Sequence, residues 1–188
     1  MVISPGPGVR RYSYADLEAF PEDNLRREII DGELIVTASP VTRHQRSVVN
    51  FVVALSEYAR AYGGEVFPAP LDVFFSDDNV VKPDVLFVRA DHLDRIEKKF
   101  VRSAPDLVVE VSSPSTRRLE VVRKRDLYSR FGVPEYWYVD LEVDRVEIYR
   151  PAEGSYPAPE MRYPGESVES MVLSGFSIPA AAALAMEP

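Results

Sequence analysis

The segment Leu107–Val111 reads LVVEV, apolar except for Glu110 and mostly β-branched. Such a strand is buried on both faces, so it needs a layer of structure on each side, which points to helices packed over a sheet. The chain has the material for that, because 46% of its 188 residues are hydrophobic. Its length suits one ordinary domain rather than two.

Around this strand the patterning runs hairpin, helix, strands, helix, strands. Residues 1–12 carry Pro5, Gly6, Pro7 and Gly8 and read as a flexible lead-in. Ser13 starts a short helix, with its hydroxyl as cap and Asp16 near the positive end of the dipole, and Pro21 ends it. In residues 27–37 (REIIDGELIVT), Asp31-Gly32 separates two β-rich runs and supplies the positive φ angles of a two-residue hairpin turn. Between Pro40 and Gly63, apolar residues at Val48, Phe51, Val52, Leu55, Tyr58, Ala59 and Tyr62 make the stripe of an amphipathic helix.

The period then changes to that of strands. Val66–Phe75 and Val80–Val88 read as two strands around the polar turn Ser76–Asn79. Arg117–Phe131 reads as a second helix ending at Gly132, and Tyr136–Tyr149 as two further strands. From Pro151 onward proline and glycine thicken, and Val168–Ile178 could add an edge strand. The expectation is an α/β fold with a central mixed β-sheet flanked by helices. Residues 13–150 form the domain, with the hairpin at its N-terminal side, and residues 151–188 form an accessory extension packed on it.

Composition removes several chemistries. There is no cysteine, which excludes disulfides, thiolate metal sites and cysteine nucleophiles, and His44 and His92 are the only imidazoles. No apolar run approaches the ~20 residues of a membrane helix and the amino terminus lacks a signal core, so a cytoplasmic location is expected. The net charge of −8 has the wrong sign for a dedicated polyanion binder. However, residues 151–188 hold five glutamates against Arg162 alone, so half the excess lies in the extension. Locally the balance reverses: Arg117–Arg130 has six basic residues against Glu120 and Asp126, and Arg95, Lys98, Lys99 and Arg102 form another basic stretch. Such asymmetry can build a positive cleft on an acidic protein.

The informative charges are those placed where charge is expensive. Asp84 follows Pro83 inside an apolar strand, and Glu110 sits in the most hydrophobic strand of the chain. A carboxylate there costs several kcal/mol, on the order set by desolvation, unless it is paired, hydrogen-bonded or bound to a metal. Two on neighbouring strands suggest a site for a hard cation such as Mg²⁺ or Mn²⁺, which takes oxygen ligands. The chemistry that fits is phosphodiester hydrolysis, with a nearby lysine orienting the attacking water or stabilising charge. The alternative is that Asp84 and Glu110 pair with arginines of the 117–130 helix as buried salt bridges.

Pro83-Asp84 followed by Glu110 resembles the PD-(D/E)XK nuclease signature. Taken together, IIDGELIV, TRHQ, VVKPDVLFV, PDLVVEVSSPST and GVPEYWYVD resemble the large Uma-type bacterial family labelled "putative restriction endonuclease" over roughly residues 13–150. The resemblance implies a restriction-endonuclease-like core in which Asp84 and Glu110 hold Mg²⁺ or Mn²⁺ and DNA is the substrate. One departure stands out: the triplet's third position is Ser112, not lysine. The resemblance implies that the lysine has moved to the following helix, at Lys124; otherwise Lys124 is a solvated helix residue. It also matches the family's first acidic position to Glu28, with Glu33 on the other hairpin arm as the alternative. His44, beside Gln45 at the start of the long helix, could contact a phosphate or a metal-bound water. The competing reading is a non-catalytic, dimeric interaction module that keeps the nuclease fold, with apolar residues of GVPEYWYVD and the tail supplying a homodimer surface.

Overall fold

The computed structural model describes residues 10–21, 23, 25–37, 41–112 and 120–186. Residues 1–9 of the expected lead-in and 117–119 of the expected second helix lie outside them. Helix α1 (Tyr14–Ala19) begins where the Ser13 N–H donates to the Asp16 carboxylate at 2.9 Å. Strands β1 (Arg26–Ile30) and β2 (Glu33–Thr37) pair antiparallel around Asp31 and Gly32, at φ 53° and 74°. Those two left-handed residues give the turn whose twist matches a hairpin.

Helix α2 (Thr42–Tyr62) buries His44, Ser47, Val48, Phe51 and Leu55, and Gly63 ends it. Tyr62, assigned to the apolar stripe, is 67% exposed, because the helix ends as its stripe leaves the sheet.

The two long strands expected at 66–75 and 80–88 are each broken in two. They form β3 (Glu65–Pro68) and β4 (Asp72–Ser76), then β5 (Asn79–Val81) and β6 (Val85–Val88). Prolines cause both breaks: Pro70 and Pro83 have no N–H for a ladder bond. The breaks lie side by side, with the Ala69 N–H donating to the Asp84 carbonyl at 3.0 Å. At this point the bent ribbon passes from one sheet to the other.

The chain continues through a 3₁₀ segment (Ala90–Arg95), β7 (Phe100–Arg102) and β8 (Leu107–Val111). A π-helical turn (Glu120–Lys124) leads into α3 (Arg125–Arg130), followed by β9 (Tyr136–Asp140) and β10 (Arg145–Tyr149). The smaller sheet runs β2-β1-β5-β4-β7. The larger runs β11-β10-β9-β8-β6-β3, where β11 is Glu160–Arg162. β8 is therefore central, parallel to β9 and antiparallel to β6, as its two-faced apolar sequence requires.

The C-terminal segment is more integrated than an accessory wrap. β11 extends the larger sheet. β12 (Ser167–Glu169) and β13 (Ser177–Pro179) pair with each other, so 168–178 is a small hairpin rather than an edge strand. Helix α4 (Ala180–Ala183) packs on α2. Val168, Leu173, Phe176, Ile178 and Leu184 join Phe51, Val109 and Trp137 in one core on the outer face of the larger sheet. A second core lies between the sheets and includes Ile30, Val81, Val108, Tyr128 and Tyr138. Tyr136, Trp137 and Tyr138 are fully buried. GVPEYWYVD is therefore interior, not the surface proposed for a homodimer.

Strand alternation fixes where Glu110 goes. Val109 and Val111 face the α2 core while Val108 faces the core between the sheets, so Glu110 shares that second direction. On β1, Arg26 and Glu28 share a face with Ile30, which belongs to the same inner core.

Candidate active site

Five of the residues singled out from sequence come together, four of them between the sheets and the fifth, His44 of α2, against Asp84. Glu28 comes from β1, Asp84 from the crossover between β5 and β6, Glu110 from β8 and Lys124 from the π-helical turn. None of these four is more than 2% exposed. The Lys124 amine donates to Glu110 Oε1 at 2.8 Å and lies 2.9 Å from Glu28 Oε1. Glu28 Oε1 also accepts the Lys82 backbone N–H at 2.6 Å.

Asp84 and Glu110 each use one oxygen for fixed internal bonds. Asp84 Oδ2 accepts the Val111 N–H at 2.8 Å and lies 3.1 Å from His44 Nε2. Since an ionised Oδ2 can only accept, His44 Nε2 carries the proton between them. Glu110 Oε1 accepts from Lys124 and from the Tyr128 hydroxyl at 2.6 Å. The other two oxygens face one group. Arg26 Nη1 donates to Asp84 Oδ1 at 2.5 Å, and Nη2 lies 3.6 Å from Glu110 Oε2. That Nη2 also donates to the Lys82 carbonyl and lies 3.7 Å from Glu28 Oε1. Glu110 Oε2 is buried and has no hydrogen-bond partner among the described residues.

Charge explains the titration of the cluster. Burial works against ionising Asp84, yet the Arg26 charge and the His44 hydrogen bond outweigh it and hold the carboxyl below its ordinary range. Glu28 is likewise lowered, burial being outweighed by Lys124, Arg26 and the Lys82 N–H. Glu110 goes the other way: burial, reinforced by repulsion from Asp84 and Glu28, raises it despite Lys124 and Arg26. Burial and Glu110 together push Tyr128 well above the usual phenol range. Perturbed titration concentrated in one place is a mark of functional sites.

The remaining expected residues lie elsewhere. Glu33 is exposed and pairs with Arg123 at 2.7 Å, so of the two hairpin glutamates only Glu28 enters the cluster. Gln45 is exposed. Ser112 is buried, but its hydroxyl accepts the Leu141 N–H at 2.8 Å and serves the strand end. His92 pairs with Asp106 at 2.7 Å, away from the cluster. Among the described residues, the arginine that pairs with Asp84 is Arg26 of β1, not one from the 120–130 part of the expected helix.

Many described members of the basic stretches carry ion pairs: Arg125 with Asp126, Arg130 with Asp31, Lys99 with Glu18 and Arg102 with Glu97.

Two members escaped the sequence reading although their spacing announced them. Arg26 precedes Glu28 by two and so shares its strand face. Tyr128 follows Lys124 by four and so shares its helix face.

Among the described residues, no three His, Asp or Glu side chains stand ready as a metal cage. The donor set nevertheless fits a hard divalent cation, because Mg²⁺ is commonly held by one or two carboxylates with waters completing the shell. Asp84 Oδ1 and Glu110 Oε2, from adjoining elements, are the two oxygens it would use, and both face Arg26 in this structure.

A family model described as "Putative restriction endonuclease" (Uma2) matches residues 13–184. Among solved structures, a putative nuclease belonging to DUF820 from Anabaena variabilis ATCC 29413 has the same fold, with a TM-score of 0.76 at 20% identity, over 92% of this chain and 97% of that one. The comparison with curated proteins gives no match.

Proposed function

Because the chain belongs to the Uma2 family of restriction-endonuclease-like proteins, we propose that it is a metal-dependent nuclease that hydrolyses phosphodiester bonds of DNA. The observation carrying this reading is the burial of Glu28, Asp84, Glu110 and Lys124 together where the two sheets meet. Asp84 and Glu110 would hold Mg²⁺ or Mn²⁺ through Oδ1 and Oε2. The bound cation supplies Lewis-acid polarisation of the phosphoryl oxygen and a water of lowered pKa.

The protein's own groups do the positioning. His44 and the Val111 N–H fix Asp84, and Tyr128 and Lys124 fix Glu110, so that one oxygen of each stays directed at the cation position. Glu28 holds the Lys124 amine from the other side, leaving it near enough to the carboxylates to orient a water or to stabilise developing negative charge.

The test is cleavage of linear and circular DNA by purified protein in Mg²⁺ or Mn²⁺, beside Asp84→Ala and Lys124→Ala prepared identically. Cleavage by wild type that both variants lose supports the reading. Equal cleavage by wild type and Asp84→Ala exposes a contaminant and refutes it.

A non-catalytic module with the same fold is favoured by one observation, the Arg26 guanidinium bound between the two carboxylates. On that reading Mn²⁺ does not bind even at millimolar concentration.

A further inference from the structure

The two carboxylate oxygens left over for a metal are the two that Arg26 faces, and four features make this more than an ordinary buried ion pair. First, every other oxygen of Asp84 and Glu110 is committed to fixed neighbours, so Arg26 and a divalent cation compete for the same pair of atoms.

Second, the guanidinium is held incompletely. Its contact with Glu110 Oε2 is 3.6 Å, beyond hydrogen-bond length, and its buried Nε has no partner among the described residues. A buried donor and a buried acceptor both lacking partners each carry a desolvation penalty that a better-fitting occupant of the gap could relieve.

Third, Arg26 is the member of the cluster that reaches the outside. Its side chain is 22% exposed, against 2% or less for Glu28, Asp84, Glu110 and Lys124 and 6% for His44. It starts β1, whose pairing with β5 is a single residue pair at Ile29 and Val80. Rotation of one long side chain toward solvent therefore opens the gap without moving a buried group.

Fourth, the charges favour exchange. The carboxyl groups Glu28, Asp84 and Glu110 outnumber the basic side chains Lys124 and Arg26 that lie among them. Replacing the guanidinium by a divalent ion adds one positive charge to a pocket where acidic groups predominate.

We propose that Arg26 is an internal cation occupying the divalent-metal position, and that metal binding is an exchange in which the guanidinium leaves Asp84 and Glu110 for solvent. Arg26 keeps the carboxylates apart and compensated while the metal is away, and it lowers the apparent metal affinity by the work of its own displacement. The inference rests on the metal-dependent reading above and adds to it the competitor that sets the affinity.

Titration of the full chain with Mn²⁺, followed by calorimetry or by the electron paramagnetic resonance of free Mn²⁺, tests both ideas separately. Arg26→Gln removes the guanidinium and its charge and leaves a shorter, polar side chain. It is expected to bind Mn²⁺ at least about tenfold more tightly than wild type, and Asp84→Asn added to it is expected to abolish binding. Should Arg26→Gln fail to fold, Arg26→Lys, whose single amine cannot span both oxygens, is expected to bind more tightly than wild type. In the wild type, Mg²⁺ saturation is expected to move the Arg26 Nε–Hε resonance and speed its exchange with water. Equal or weaker Mn²⁺ binding by the Arg26 variants, with Asp84 still required, overturns the exchange and leaves the metal site standing. Absence of Mn²⁺ binding in every protein overturns the metal-dependent reading itself and the exchange with it.

Discussion

The Lys124 amine lies 2.8 Å from Glu110 Oε1, so the cation absent from the strand triplet at Ser112 is returned to the same carboxylate from the following helical turn. Its burial makes the pairing energetically demanding. Lys124→Met leaves Glu28 and Glu110 facing each other without their shared amine, and removing one partner of a buried pair costs about 3–5 kcal/mol. Glu110→Gln removes the excess negative charge instead, so it should cost distinctly less. Urea denaturation followed by the fluorescence of Trp137, the sole tryptophan and fully buried, measures both. A smaller loss for Lys124→Met than for Glu110→Gln contradicts this charge balance.

Tyr128→Phe isolates a single hydrogen bond. The ring stays packed between Phe75 and Tyr136, while Glu110 Oε1 loses the hydroxyl that donates to it at 2.6 Å. The expected cost is about 1–3 kcal/mol by the same denaturation assay. If Tyr128 positions Glu110 for metal, Mn²⁺ affinity falls along with stability. A stability loss with unchanged Mn²⁺ affinity would confine its role to packing.

The layered fold and most of the cluster were legible because they follow from short-range rules. The two-faced apolar run of β8 required a central strand, the Asp31-Gly32 turn required a hairpin, and carboxylates at Asp84 and Glu110 had to be compensated. What could not be read was which cation would compensate them. The 117–130 helix offers several arginines, but the partner, Arg26, is separated from Asp84 by 58 positions, and only the crossover of the bent ribbon brings β1 to the crossover carboxylate.

The strand breaks at Pro70 and Pro83 were marked in the sequence, yet alternating apolar residues continued past both. Periodicity within a segment does not report which of two sheets each half joins. The C-terminal segment misled for a related reason: short strands of three residues have too little period to register, although Phe176 and Leu184 complete the α2 core.

Acid should weaken the fold through Asp84 and Glu28. Both carboxyls are held below their ordinary values of 3.8 and 4.5, so their stabilising contribution is complete above that range and is lost as pH falls through the lowered folded-state values. Glu110 is raised and has the opposite sign, its contribution being complete below 4.5 and lost as pH rises through its folded-state value. The melting temperature of wild type should therefore drop steeply below about pH 4. Asp84→Asn, less stable at neutral pH, should show a shallower acid limb. Parallel limbs in the two proteins would remove Asp84 as a source of the acid sensitivity.

Glu135 should govern how firmly the C-terminal segment is held. It is fully buried, accepts from Arg150 Nε at 2.9 Å and from the Ser170 hydroxyl at 2.5 Å, and Ser170 in turn accepts the Leu173 N–H at 3.0 Å. One carboxylate thus ties the end of β10 to the turn that begins after β12. Glu135→Ala strands the Ser170 hydroxyl, but Arg150 stays partly exposed and keeps Glu160 at 2.5 Å. The expected global cost is accordingly modest, about 1–3 kcal/mol. The local effect should be larger than the global one: amide hydrogen exchange across residues 167–179 should accelerate more than across β8 and β9, because among the described residues that hairpin forms a sheet of its own and can open without the larger sheet. Uniform acceleration over both regions would show instead that the segment and the sheet unfold as one unit.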